Sequence, residues 1–284
     1  CSLTYDATGH LTAERFMLDP QIPVNFKARV EATDAARTTA RDVAKQNPAA
    51  PWLAEVDDQR RERFEIRHRN GPESVIGDRE DFLPVSFLAR GYAVSAAVAM
   101  VTVGGPQRAG GTGFLIGGGL FITNHHVLPD VDTARASTIE FGYEFDAQGQ
   151  RLASTRFALD PGTCFITDDQ NSLDVTVVAV GPRLDGPGEL ASFGACTLSD
   201  ANDKHAIGMA LNIIQHPELL PKCIAIRNNL LTARDSQVLL YETDTKVGSS
   251  GSPVFNDSWE VVALHHWGEP HLARSVNGEP GLPT

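Results

Sequence analysis

The sequence has no apolar run approaching the roughly 18 to 20 residues that cross a bilayer as a helix, so a helical membrane protein is not expected. Nor has it an excess of positive charge. Lys+Arg 24 against Asp+Glu 36 gives a net charge of −12, which repels a phosphate backbone, and no basic cluster interleaved with aromatics offsets it. Nucleic acid is therefore not an expected partner. Cysteine is scarce: Cys1, Cys164, Cys196 and Cys223 lie far apart with no C-x-x-C pair. That spacing argues against a thiolate zinc site and against a disulfide scaffold, and it favours a reducing, cytoplasmic setting over a secreted one. Internal repeats and low-complexity tracts are missing as well. The first residue is Cys1 and not Met, so the expectation is of a fragment or a processed product, for which a missing signal peptide says little.

What is present is an ordinary globular composition, 42% hydrophobic and 21% charged over 284 residues, enough for one large domain or two modest ones. The texture changes near residue 77. Residues 31–45 are rich in Ala and charge, and residues 51–67 set Trp52, Leu53, Val56, Phe64 and Ile66 among many Arg, Asp and Glu. Pro51 suits a helix start. Residues 1–77 thus read as a helical or partly extended lead-in that packs on a neighbour, a surface for a regulatory protein partner. Residues 78–284 read as a second unit. A short helix is expected over 86–99, and from Ala97 the chain becomes short β-branched runs (VAMVTV, GTGFLIGGGLFITN, TVVAV, VVALHHW) broken by Gly, Asp and Asn. Many short strands with close turn signals imply a mainly β barrel or sandwich.

Three stretches carry candidate chemistry. Gly248-Ser249-Ser250-Gly251-Ser252-Pro253 sets a serine between glycines on a tight turn, where the N–H groups of Gly248 and Ser250 can converge on one developing oxyanion. Thr123-Asn124-His125-His126-Val127 ends a strand in a histidine able to act as a general base near neutral pH. Leu173-Asp174-Val175 heads an apolar strand with a carboxylate that could orient that histidine. Asp168, Asp169 and Asp185 sit in polar turns and read as solvated. The chain order is His126, Asp174, Ser250.

With those residues in place, the chain resembles the trypsin-like, chymotrypsin-fold serine peptidases, and among them the bacterial glutamyl-endopeptidase branch. The likeness runs over residues 97–268 and is strongest in GSSGSPVFND and VVALHHWG. FLPVSFL and NIIQHP also look like bacterial trypsin-like domains found beside regulatory or defence modules. The resemblance implies two six-stranded Greek-key β-barrels with a cleft between them, protein or peptide substrates, and neither metal nor cofactor. It implies that Ser250 is the nucleophile, His126 the base and Asp174 its orienting acid. His266, Trp267 and Gly268 match an edge strand that binds substrate backbone by β-addition. For the residue before the scissile bond two readings stay open: Thr245 and His265 match the glutamyl branch's receptor for an acidic side chain, whereas Asp244 matches the position that selects Arg or Lys in trypsin. Ser249 stands where trypsin zymogens carry an aspartate, so their activation switch is absent. The chain also reaches Thr284 without the closing strand and helix of the family, which implies a trimmed chain or a separate remainder.

A regulated protease of a bacterial defence or signalling system is one implied role. A peptide-binding pseudo-peptidase is the other reading of the same cleft. Metal binding by His125, His126, His216, His265 and His266 has no H-E-x-x-H or cysteine spacing behind it.

Overall fold

The computed structural model describes residues 83–104, 109–201, 204–227, 229–234 and 238–266, with the backbone of Ser275–Val276 and Glu279–Pro280. The lead-in expected over 1–77 lies outside them.

Helix α1, Ser86–Ser95, comes first among the described elements. It stops short of the expected residue 99, because Val98-Ala-Met-Val-Thr-Val carries four β-branched residues, Val98, Val101, Thr102 and Val103, and pairs as a strand instead. One side of α1 seats on Trp259. The Phe87 and Trp259 rings lie 4.7 Å apart, and the Trp259 indole N–H donates to the Phe87 carbonyl at 2.8 Å. At Gly91 a Cβ would come within 2.2 Å of the Trp259 ring, so only glycine lets the helix approach this closely.

Six antiparallel strands then close a barrel: β1 Val98–Val103, β2 Ala109–Gly117, β3 Leu120–Thr123, β4 Thr138–Phe141, β5 Thr155–Asp168 and β6 Val175–Asp185. Around the barrel the order is β1, β2, β3, β6, β5, β4 and back to β1. Closure removes the free edges that an open sheet would expose. A short helix α2, Val131–Ala136, leads into β4. Its N-cap Asp130 accepts from the Thr133 N–H at 2.7 Å. The barrel fills with Phe114, Phe121, Ile139, Phe141 and Phe157, all buried. Phe141 stacks on Phe193 at 4.6 Å and meets Phe121 and Phe157 edge-on. Burying each such ring contributes about 1.5 to 3 kcal/mol.

The second half is built from β7 Asn212–Gln215, β8 Cys223–Ala225, β9 Leu231–Arg234, β10 Leu239–Tyr241, β11 Pro253–Phe255 and β12 Val261–Leu264. A four-stranded sheet runs β12, β11, β7, β8, and β9 pairs with β10. Leu211, Ile213, Leu231 and Val254 form their shared core. The mainly β expectation holds. Of the two barrels implied, the first is closed by pairing; among the described residues the second is an open sheet and a hairpin.

Candidate active site

Strand β3 ends at Thr123, and the chain turns at once. The Asn124 carbonyl accepts from the N–H groups of Val127 and Leu128 at 3.2 and 3.1 Å, which throws His125 and His126 off the strand end. The two histidines part company there. His125 Nδ1 bonds Thr167 Oγ1 at 2.8 Å, while His126 meets Asp174.

Asp174 precedes β6 in a left-handed conformation, φ 50°, which Asp tolerates better than most residues. Every polar group it has on this side is engaged. Its N–H donates to the Asp169 carbonyl at 3.0 Å, and its own carbonyl accepts from Asn124 Nδ2 at 2.8 Å. Its Oδ1 accepts from the His126 backbone N–H at 3.1 Å, and its Oδ2 lies 2.7 Å from His126 Nδ1. His266 Nδ1 stands 3.5 Å from the same Oδ2. The Asp174 side chain is fully buried, whereas His126 keeps 16% exposure. Burial works against ionisation of Asp174, yet the hydrogen bonds from His126 and His266 and the charge of His126 outweigh it and lower the carboxyl to about 2. Once ionised, the carboxylate can only accept, so the proton in the 2.7 Å contact sits on His126 Nδ1. Asp168 shapes the loop that delivers Asp174: its Oδ2 accepts from Ser172 Oγ at 2.7 Å and from the Leu173 N–H at 3.2 Å.

The turn carrying Ser250 is bonded to both halves of the molecule. The Ser250 carbonyl accepts from the Thr112 N–H of β2 at 2.8 Å, the Gly251 N–H donates to the His265 carbonyl at 2.8 Å, and the His265 N–H donates to the Ser252 carbonyl at 2.9 Å. His266, next in the chain, is the residue beside Asp174. A Cβ on Gly111 would lie 2.8 Å from the Ser250 carbonyl and 2.9 Å from the Val127 side chain, so the Ser250 turn and the His126 turn meet across this one glycine. Gly248 and Gly251 have φ +94° and +86°, where side chains are strained. Among the described residues, neither the Gly248 nor the Ser250 N–H donates a hydrogen bond. Ser249 is buried and its Oγ accepts from the Lys246 N–H at 3.1 Å.

The pocket candidates separate. Asp244 is exposed, with only its carbonyl held, by Gln215 Nε2 at 3.1 Å. Thr245 is half-buried. His265 is buried, with Nδ1 2.7 Å from the Tyr241 hydroxyl. Burial, helped by the neighbouring His266 and His126, lowers the His265 imidazole to about 3; burial likewise raises the Tyr241 phenol. Both groups are thus neutral, and the assignment that satisfies the buried phenol proton has Tyr241 donating to Nδ1, leaving His265 with an Nε2–H donor. Trp267 and Gly268 lie outside the described residues. His216 is turned to the interior: fully buried, its Nδ1 bonded to the Leu220 carbonyl at 2.9 Å and its ring stacked on Tyr143. No group of three or more His, Cys, Asp or Glu suited to a metal occurs among the described residues. Reading by motif missed Thr112 and Tyr241. The signal for Thr112 was its place as the one polar side chain in A-G-G-T-G-F-L-I-G.

A closed β-barrel joined to a second β unit, with a His–Asp pair beside a Gly-Ser-Ser-Gly turn, defines the chymotrypsin-like class. A family model described as "Trypsin-like peptidase domain" matches residues 111–264, more than half of the chain, and the chain belongs to that family. It is 39% identical over 218 residues to the uncharacterized protein y4fB of Sinorhizobium fredii, a match that covers 73% of this chain and 32% of that protein. The match thus spans about a third of the relative's length. Among solved structures it is similar to one titled "Crystal structure of Deg5", with a TM-score of 0.44 and 16% identity, covering 65% of this chain and 87% of the other.

Proposed function

We propose that the chain is a serine endopeptidase in which Ser250 is the nucleophile, His126 the base and Asp174 its orienting acid. The observation that carries this reading is the buried Asp174 carboxylate gripping both the backbone N–H and Nδ1 of His126 next to the Ser250 turn. Ser250 Oγ adds to the peptide carbonyl as its proton passes to His126 Nε2. Asp174 stays ionised and stabilises the imidazolium. The oxyanion of the tetrahedral intermediate accepts from the N–H groups of Gly248 and Ser250, each worth about 10² to 10³ in rate. His126 then protonates the leaving amine, and water repeats the sequence on the acyl-enzyme.

The neutral His265 bears on the residue before the scissile bond. It offers a donor, not a cation, so together with Thr245 it suits a side chain that accepts hydrogen bonds, Glu or equally Gln. Asp244, exposed on its loop, is the competing determinant, and dominance by it would select Arg or Lys. His266, which resemblance assigns to substrate backbone, has its ring against Asp174 and fits a support role for the acid. The glutamyl-type branch and a regulated role on a specific protein remain part of this proposal; ready digestion of unfolded casein by the isolated chain would count against the second.

Digestion of a mixed peptide library, read by mass spectrometry, tests the reading. Cuts after Glu and Gln that vanish in Ser250→Ala are the expected result. Cuts after Arg or Lys would transfer the pocket to Asp244, and cutting that survives in Ser250→Ala would overturn the nucleophile.

A further inference from the structure

Each proposed oxyanion donor belongs to a planar, trans peptide, so its direction is set by whatever holds the carbonyl on the opposite side of the same plane. The Gly248 N–H shares its plane with the Val247 carbonyl, which accepts from the Glu218 N–H at 2.5 Å. The Ser250 N–H shares its plane with the Ser249 carbonyl, which accepts from the Ser252 N–H at 3.1 Å and from Ser252 Oγ at 2.6 Å. The two planes that follow, carrying the carbonyls of Gly248 and Ser250, are both held by one residue of the other half of the molecule. Thr112 Oγ1 donates to the Gly248 carbonyl at 2.8 Å, and the Thr112 N–H donates to the Ser250 carbonyl at 2.8 Å.

The same Oγ1 accepts from the His216 N–H at 3.0 Å, and His216 opens the Pro217–Leu219 turn that supplies the Glu218 donor. Glu218 and Leu219 are both left-handed, φ 56° and 57°, a strained conformation for residues other than glycine, so this turn needs an external anchor. The Thr112 carbonyl is occupied too, by Thr123 Oγ1 at 2.7 Å, which fastens it to the strand that delivers His126. Thr112 itself is fully buried.

We propose that Thr112 is a positioning residue for the oxyanion loop: its hydroxyl fixes the Gly248–Ser249 peptide, which lies between the two donor peptides, and the Glu218 donor through His216, so that both N–H groups stay aimed at the scissile carbonyl. It touches no substrate. The proposal rests on the serine-peptidase reading, and its consequence is kinetic. Loss of the hydroxyl leaves substrate affinity in place and weakens stabilisation of the charged intermediate.

The test uses saturable labelling by a fluorophosphonate, whose addition to serine also builds negative charge on oxygen, in wild type, Ser250→Ala, Thr112→Val and Thr112→Ser, with a thermal melt of each. The expected result is a maximal labelling rate lowered about 10- to 100-fold in Thr112→Val, an unchanged half-saturating concentration, and recovery to within about threefold in Thr112→Ser. Thr112→Val labelling like wild type would overturn the proposal and leave the peptidase reading intact. So would an equal loss in Thr112→Ser, which would trace the effect to the methyl group and packing, or a loss confined to the half-saturating concentration. Absence of Ser250-dependent labelling in wild type would remove the peptidase reading and this proposal with it.

Discussion

Asp174 has four separate restraints on one buried residue: a backbone donor, a backbone acceptor and two carboxylate contacts to His126. Replacing it with Asn keeps the shape and reverses the hydrogen-bond logic, because an amide can donate to Nδ1 and hold His126 in the wrong tautomer. Asp174→Asn is expected to lower kcat by about 10⁴ with the fold kept, measured as turnover of a cleaved peptide beside a circular dichroism spectrum. His265 leads to a second expectation. With its imidazole lowered to about 3 by burial, it does not change charge between pH 5 and 8, so any pH dependence of the ratio of Glu to Gln cleavage over that range should owe nothing to this residue. Tyr241→Phe removes the donor that fixes the His265 tautomer and should change that ratio; paired Glu and Gln peptides measure both. The proximity of His126 and Asp174 was legible because each sits in a recognisable local context at a strand end. Thr112 was not: its meaning comes from a contact 136 residues along the chain, made only when the barrel closes against the second half. Tyr241 was hidden for the same reason, being 24 residues from His265 and on a strand whose pairing has a bulge.

At the level of elements, runs of β-branched residues marked the strands well, and the switch from helix to strand is where local reading slipped. Residues 86–99 satisfy helix propensity up to Ser95, but Val98 begins the register with β2 and Ala99 that with β4, a tertiary demand that local propensity does not report. The seat of α1 on Trp259 is likewise a property of two distant elements. Gly91→Ala gains about 0.5 to 1 kcal/mol of helix propensity but drives a Cβ to 2.2 Å from the Trp259 ring. The clash is expected to win, for a net loss of about 1 to 2 kcal/mol, read as a lower urea midpoint at constant m-value. Trp259 fluorescence should change with it, because the indole N–H loses its fixed carbonyl.

For the whole molecule, pH exposes what burial has done. His216 and His265 are each lowered to about 3, chiefly by burial, against an ordinary value near 6.5. Between those limits the unfolded chain binds more protons than the folded one, so stability is complete above about pH 6.5 and falls as pH drops toward 3. Asp174, lowered from 3.8 to about 2, contributes fully above about pH 3.8 and loses that contribution as pH falls through 2. The melting temperature should therefore fall steadily from pH 7 to pH 4, and replacing His216 with Gln should flatten that slope. The central proposal is that Ser250, His126 and Asp174 act as one reacting unit. Its most direct test is fluorophosphonate labelling of the purified chain, with the adduct mapped by mass spectrometry, in wild type, His126→Ala and Asp174→Asn. The account expects a single adduct on Ser250, lost in His126→Ala and slowed by orders of magnitude in Asp174→Asn. An adduct on another residue, or labelling of Ser250 indifferent to both substitutions, would contradict it.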